Sequence, residues 1–548
     1  MSFTLSLPIQ APYLLFPVCN GGSKVILQLL SGGKMVREFN IELTPAGPAD
    51  WWAFYDVSPW LGQTLELHTA EDLPAGQAEW LAHSVHTSPV PVAEPDLYHE
   101  PLRPQFHFTT RRGWNNDPNG LVYYQGEYHL FYQLNPFGIR WGNMHWGHAV
   151  SPDLLHWSEL PVALYQRSLA DMAFSGGGLV DADNTSGWKT GSEDPLVIAF
   201  TSTGRGECLA YSLDRGRSFT EAPGNPLIAH QGRDPKIIWY APGRHWVMIL
   251  YDERMQPGVL GRGPGGSVEF GYAIYTSPDL HSWQRQSFLA GDWFECPELF
   301  ELEVAGRPGV KKWVIHGCII HKLNSAYVVG SFDGQTFTPE MEPAPGHSGP
   351  AFYAAQNFNH DPLGRQVMLG WLQHAEYPGM PFSQGMTVPL ELSLQPNAGG
   401  GVPYRLCFQP IAGLAGLRAS SVSYSGLSLA TANRQLAAVG PQEQLDLELT
   451  LPSAHAAVLQ VGSYPLSWDP AAAVLSFAGQ SAPLAPAGPT LRLRLLLDRG
   501  LTEIFAEDGR AAFAAATHQP SGVRPLSLSG PTDGISLAIH RLRSIWPE

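Results

Sequence analysis

Three carboxylates in the middle of the chain stand in matched settings. Asp117 and Asp234 each precede proline, in "WNNDPNG" and "GRDPK", and Glu295 precedes Cys296-Pro297 in "FECPELF". From Asp117, the steps to Phe174 in "FSGGG", to Asp234, to Glu295 and to Tyr353 in "FYAAQ" are 57, 60, 61 and 58 residues. Carboxylates that converge on one pocket repel one another, which pushes a carboxyl toward its neutral form. Such a set supplies an ionised nucleophile, a protonated acid and a charged binding residue, the equipment for breaking a glycosidic bond. Arg233, beside Asp234, is expected to keep that acid ionised if its side chain faces the same pocket. Trp114, Trp141, Trp146, Phe174, Trp293, Tyr353 and Trp371 are candidate stacking surfaces for sugar rings, or core. A plainer reading competes. Asp-Pro also occurs at Asp194, Asp361 and Asp469. Asp117-Pro118-Asn119-Gly120 suits a tight turn, so the chain is expected to reverse there. A residue before proline is expected to be extended.

A spacing near sixty residues in strand-and-turn sequence is the signature of propeller blades. A second repeat supports it. "SPDLLHW" (151–157), "SLDRGRSF" (212–219), "SPDLHSW" (277–283) and "SFDGQTF" (331–337) share Ser, then Asp two residues on, then a closing aromatic. Five landmarks at one period imply five blades, with the acids near a channel mouth.

The full chain has 548 residues, room for roughly two to four domains. The Pro-rich stretch 86–105 and the Gly-rich "QPNAGGGVP" (395–403) divide it into an amino-terminal β domain (1–95), a propeller (96–395) and a carboxy-terminal segment (404–548). "SKVILQLL" and "TLELHT" in the first, and "LDLELTL", "AAVLQVG", "LRLRLLLD" and "ISLAIHRL" in the last, read as β-sandwich strands. Turns are expected at Asp498-Arg-Gly and Glu507-Asp-Gly. The overall expectation is all-β. A formal charge of -16 argues against nucleic acid and anionic lipid as partners. Five scattered cysteines without a C-x-x-C pair argue against a disulfide framework or a cysteine zinc site. Together with a start that lacks a basic leader and the absence of a long apolar run, they point to the cytoplasm and to no membrane span. Oligomerisation through either terminal β domain is open.

The motifs "WNNDPNG", "FYQLNPFGIRWGNMHWGHAVSPDLLHW", "FSGGG", "GRDPK", "FECPELF" and "FYAAQ", in this order, resemble glycoside hydrolase family 32, the family of invertases, levanases and inulinases. The resemblance runs from about Tyr98 to Leu392, and "LDRGLTEIFAEDG" (497–509) extends it. It implies a five-bladed propeller followed by a β-sandwich, a fructose-containing substrate, no cofactor and no metal. It implies Asp117 as nucleophile, Glu295 as general acid and base, and Asp234 as stabiliser of the transition state. Asn116, Gln133, Trp141, Phe174, Ser175 and Arg233 match fructose-binding positions, with Tyr353 and Trp371 as softer matches. Two positions depart: Asn115 stands where Met is common, and Gly177 where Ser is usual. Both are expected beside the site, where they could alter the pocket rim and with it the linkage preference. The amino-terminal domain lies outside the family's core pattern, and its role is open.

His145-x-x-His148 has the look of a metal pair but lacks a third ligand, so packing among Trp is favoured. "GRGPGGS" (261–267) lacks the Lys-Ser/Thr ending of a phosphate loop and reads as a loop. The rivals to hydrolysis of terminal fructose are transfer of fructose, including formation of difructose anhydride, an inverting arabinanase- or xylosidase-like glycosidase, and a sugar-binding protein with a dead site. The last would be marked by loss of a carboxylate, and all three are present.

Overall fold

The Ser-x-Asp repeat is the corner between the third and fourth strands of a blade. In the computed structural model, which describes residues 2–43, 47–91, 97–229, 232–255, 268–320, 325–397, 401–440, 444–517 and 525–547, Ser151 closes one such strand and its hydroxyl donates to Asp153. Asp153 also accepts the amides of Leu155 and His156. Asp279 repeats this with Ser277, His281 and Ser282, and Asp214 with Ser212 and Ser218. Asp333 accepts the amides of Gln335 and Thr336. A short carboxylate that bonds the backbone two and three residues on makes a compact corner, and a four-stranded antiparallel blade needs one at that place. The loop 261–267 lies outside the described residues.

Five blades follow in chain order. Their inner strands are Gly113–Tyr124, Gly178–Val180, Arg233–Tyr240, Glu298–Glu303 and Phe352–Asn357. The ring is drawn closed where Phe382–Ser383, after the second strand of the fifth blade, pairs in parallel with Gly113 and Trp114 of the first. Residues 2–88 build two further sheets, one of four strands and one of three, with a helix at Ala75–Ser84. Arg418–Leu542 form a sandwich of a six-stranded and a five-stranded sheet, with a helix at Leu429–Ala437. The turns at 499–500 and 507–508 join its strands, with Gly500, Glu507 and Asp508 at positive φ. Among the described residues no helix is long and apolar enough to cross a membrane.

The reversal expected at Asp117-Pro118-Asn119-Gly120 does not occur. These residues run inside the strand Gly113–Tyr124, whose pairing register slips between Asn115 and Pro118 and again between Asn119 and Val122. Proline is tolerated because this strand lines the channel at a sheet edge and at a bulge. Gly120 has φ 58° and donates its amide to Gly176 at 2.8 Å, and a Cβ there would lie 2.5 Å from the Phe131 ring. The missing Cβ therefore makes room for the Phe131 ring of the same blade, and the residue serves close packing rather than a hairpin. Bulges recur around the channel. The register slips between Arg233 and Lys236 and between Tyr353 and Gln356, and φ is positive at Asp234 (63°), Cys296 (54°) and Ala354 (47°). Asp234 is thus in left-handed backbone, not in the extended form expected before proline. Three of the five landmarks, Asp117, Asp234 and Tyr353, thus sit at bulges, and a bulge re-aims a side chain.

The carboxy-terminal sandwich grips the segment that feeds the first blade. The His107 ring lies between Asp498 (2.9 Å) and Glu503 (2.8 Å), all buried. Asp498 also accepts the amides of Gln105 and Phe106, and Glu503 that of Val388. With a carboxylate on each ring nitrogen the imidazole is held as the cation, pushed up to about 9 against the cost of burial. Both acids belong to the "LDRGLTEIFAEDG" stretch, which explains why that stretch carries charge in a buried hairpin.

Candidate active site

At the bulged mouth of the channel the three sequence-picked acids lie within one continuous chain of contacts. Asp117 accepts from Asn116 Nδ2 at 3.0 Å on Oδ1 and from Ser175 Oγ at 2.6 Å on Oδ2. Cys296 Sγ approaches the same Oδ2 at 3.9 Å. The Cys296 amide donates to Asp234 Oδ2 at 3.2 Å, while the Asp234 amide donates to Thr201 Oγ1 at 3.0 Å. Glu295 accepts from Arg233 Nε and Nη2 at 3.0 and 2.9 Å, both on Oε1, and from Tyr353 Oη at 2.6 Å on Oε2. Tyr353 meets Trp371 edge-on at 6.1 Å, and Trp371 meets Trp114 at 5.9 Å. Trp114 Nε1 donates to Asn116 Oδ1 at 2.9 Å, which returns the circuit to Asp117. Elements of all five blades are in contact here, so the site exists only when the ring is assembled.

The remaining candidates form one flank. Phe174 precedes Ser175 and faces the ring of Trp141 edge-on at 6.1 Å. Trp141 is 50% exposed, an unusual state for an indole and one that leaves a face free for a ligand. Gln133 is buried, and its amide donates to the Ala173 carbonyl at 3.0 Å, fixing the segment that presents Phe174 and Ser175.

Burial sets the ionisation of the acids. The Asp117 carboxyl is raised to about 6, chiefly by burial and further by the nearby Glu295, with the Ser175 and Asn116 bonds opposing. Asp234 is held well above the usual carboxylate range, again by burial. This corrects the expected division of charge. Arg233 does face the pocket, but two of its guanidinium nitrogens, Nε and Nη2, bond Glu295, and Nε lies 3.9 Å from Asp234 Oδ2. Burial outweighs that longer-range attraction, so Asp234 is the carboxyl most strongly driven to the neutral form. Arg233 itself stacks over Tyr251 and Phe294 at 4.8 and 5.0 Å, which orients its fork.

Asn115 and Gly177 are not at the rim. Asn115 is fully buried and faces Thr110. A Cβ on Gly177 would lie 3.2 Å from Lys236 Cδ and 3.3 Å from the Pro235 carbonyl, so this position faces the next blade. His145 and His148 are buried, and His148 bonds His129 at 3.0 Å, an arrangement of packed rings. Sequence reasoning did not single out Cys296 or Thr201 for the site. Cys296 was within reach, since it follows Glu295 directly. Thr201 was not, because it comes from the second strand of its blade and is brought in by pairing with Phe174.

A five-bladed propeller whose channel mouth gathers a buried aspartate, a half-buried aspartate, a glutamate and sugar-sized aromatic surfaces defines a class of enzyme, the glycoside hydrolases. Comparison with known proteins makes this particular. Residues 107–401 match the Glycosyl hydrolases family 32 N-terminal domain. A levanase of Bacillus subtilis (strain 168) is 34% identical over 513 residues, covering 83% of this chain and 72% of that protein. An extracellular exo-inulinase of Aspergillus niger is 29% identical over 535 residues, covering 82% and 96%. The crystal structure of exo-inulinase from Aspergillus awamori matches with a TM-score of 0.69 at 28% identity, over 82% of this chain and 100% of that one. The chain belongs to glycoside hydrolase family 32.

Proposed function

We propose that this enzyme is a retaining β-fructofuranosidase that removes terminal fructose from levan- or inulin-type fructans, fructo-oligosaccharides or sucrose. The observation that carries the reading is the circuit joining Asp117 to Glu295 across one channel mouth. The relatives named levanase and exo-inulinase support the substrate class.

The chemistry runs in two displacements. The Asp117 carboxylate, aimed by Asn116 and Ser175, forms an ester bond to the anomeric carbon as the glycosidic bond breaks. The Glu295 carboxyl gives its proton to the leaving oxygen. Glu295 then takes a proton from water as that water attacks the same carbon and frees Asp117. Asp234, anchored through its amide and by that of Cys296, bonds sugar hydroxyls as charge develops on the ring. Trp141 and Phe174 supply the apolar flank.

A time course on sucrose, inulin, levan and short oligomers, with products identified, tests the reading. Fructose should be the first and main product, and Asp117→Ala or Glu295→Ala should remove nearly all turnover while the fold persists. Full activity in either variant, or no release of fructose by the parent, would sink it.

A further inference from the structure

The amino-terminal module, 2–88, packs on the first blade, and one of the segments it holds carries the exposed indole. Phe137 is 1% exposed and belongs to the module's apolar core rather than the propeller's. Its ring stacks on Phe39 at 3.8 Å and 9°, with Tyr55 at 5.3 Å on another side. Six residues on, Asn143 has φ 45° and is buried. Its side-chain amide accepts the Asn40 amide at 2.9 Å and donates to the Asn40 carbonyl at 2.8 Å, so it takes the place of a neighbouring strand's residue at the open edge of Lys34–Leu43. Inside the loop, Asn135 ties the two anchors together. It accepts from Phe137 N and Asn143 Nδ2 and donates to the Arg140 carbonyl. Trp141 is the residue after that carbonyl. A second link lies alongside, where Glu38 accepts Gln166 Nε2 on its carbonyl and Leu169 N on its carboxylate.

We infer that the amino-terminal module is a positioning device for substrate: through Phe39 and Asn40 it clamps Phe137 and Asn143, and so fixes the Trp141 platform beside Phe174. Phe137 and Asn143 are positioning residues, since they touch the loop and not the sugar. Both sides of the span 137–143 are pinned to the module, and the residue between the pins presents the most exposed aromatic surface of the site. A loop held only from the propeller side would leave that indole to sample many orientations, and each would cost binding entropy. The effect falls on binding rather than on the chemical step, because Asp117 sits on the strand Gly113–Tyr124 and Glu295 in the fourth blade.

The test uses the full chain, and its kinetic arm rests on the proposed β-fructofuranosidase activity. Phe39→Ala and Asn143→Ala are compared with Leu67→Ala, which opens a cavity in the same module core two strands away from Phe39. Phe39→Ala and Asn143→Ala should raise KM for fructo-oligosaccharide roughly three- to tenfold, the scale of an aromatic stacking contact. They should leave kcat within about twofold. Leu67→Ala should lower Tm without moving KM. Backbone hydrogen exchange over 136–143 should speed up in the first two variants and not in the third, and this arm needs no substrate. Unchanged exchange over 136–143 together with unchanged KM in Phe39→Ala would overturn the inference. So would an equal rise of KM in Leu67→Ala, which would make the effect one of general stability. Absence of fructosidase activity in the parent would fault the functional reading alone, since the exchange result stands without it.

Discussion

Replacing Ser175 by alanine tests the ionisation of Asp117 directly. The hydroxyl donates to Asp117 Oδ2 at 2.6 Å, the length of a bond to a charged oxygen. It is the strongest influence holding the carboxyl down against burial. Hydrogen bonds to charged groups contribute about 1.5–3 kcal/mol, or roughly one to two pH units at 1.36 kcal/mol per unit. The nucleophile works only when ionised, so kcat/KM should fall on the acid side with a midpoint at about 6 in the parent enzyme. In Ser175→Ala that midpoint should move up to roughly 7–8. At pH 6, where the parent is half ionised, the variant should therefore lose roughly five- to fiftyfold, and well above the new midpoint the loss should shrink to that of one sugar contact. The assay is a pH profile of kcat/KM on sucrose or a short fructan from pH 4 to 9. An acid limb that stays in place or moves down would refute the reasoning, whatever happens to the rate at the plateau.

Other outcomes follow from the same contacts. Ionising half-buried Asp117, whose carboxyl is raised from 3.8 to about 6, costs stability that is absent below the first value and fully present above the second. Asp117→Asn should accordingly melt higher than the parent at pH 7.5, by up to about 3 kcal/mol, and no higher at pH 4. The His107 cation works in the opposite sense: its stabilisation is complete below pH 6.5 and lost as pH rises through about 9. His107→Gln leaves Asp498 and Glu503 buried without their cation and should cost about 3–5 kcal/mol at pH 6. Thermal melts should show that gap narrowing above pH 9. Glu295→Ala should slow substrates with poor leaving groups far more than an aryl fructoside whose leaving oxygen needs no proton, and equal loss on both would contradict its role as acid.

Much of this was legible because the fold repeats. The Ser-x-Asp corners and the sixty-residue steps both report blades, and each survives as a local bonding pattern at Asp153, Asp214, Asp279 and Asp333. The acids were legible for the same reason. What failed was local backbone reading at those acids. Asp-Pro-Asn-Gly carries the residues of a tight turn, yet the strand continues, because the same Pro and Gly preferences also suit a bulge at a sheet edge. Tertiary pairing with Phe131 and Tyr132 decided between the two. The partner of Arg233 was equally out of reach, since the sequence neighbour Asp234 loses to Glu295, sixty-two positions on, once the bulge turns the guanidinium across the channel. The grip of residues 2–88 on Phe137 and Asn143 left no sequence signal, because each contact is a pairing between distant segments.

The central claim is that a fructosyl unit is carried on Asp117 with net retention, and methanol captures that outcome in a product that does not equilibrate. The enzyme is run on sucrose in buffer containing methanol, and the methyl fructofuranosides are resolved by NMR. Retention through Asp117 predicts methyl β-fructofuranoside, formed by the parent and absent with Asp117→Ala. Methyl α-fructofuranoside as the enzymatic product would contradict it.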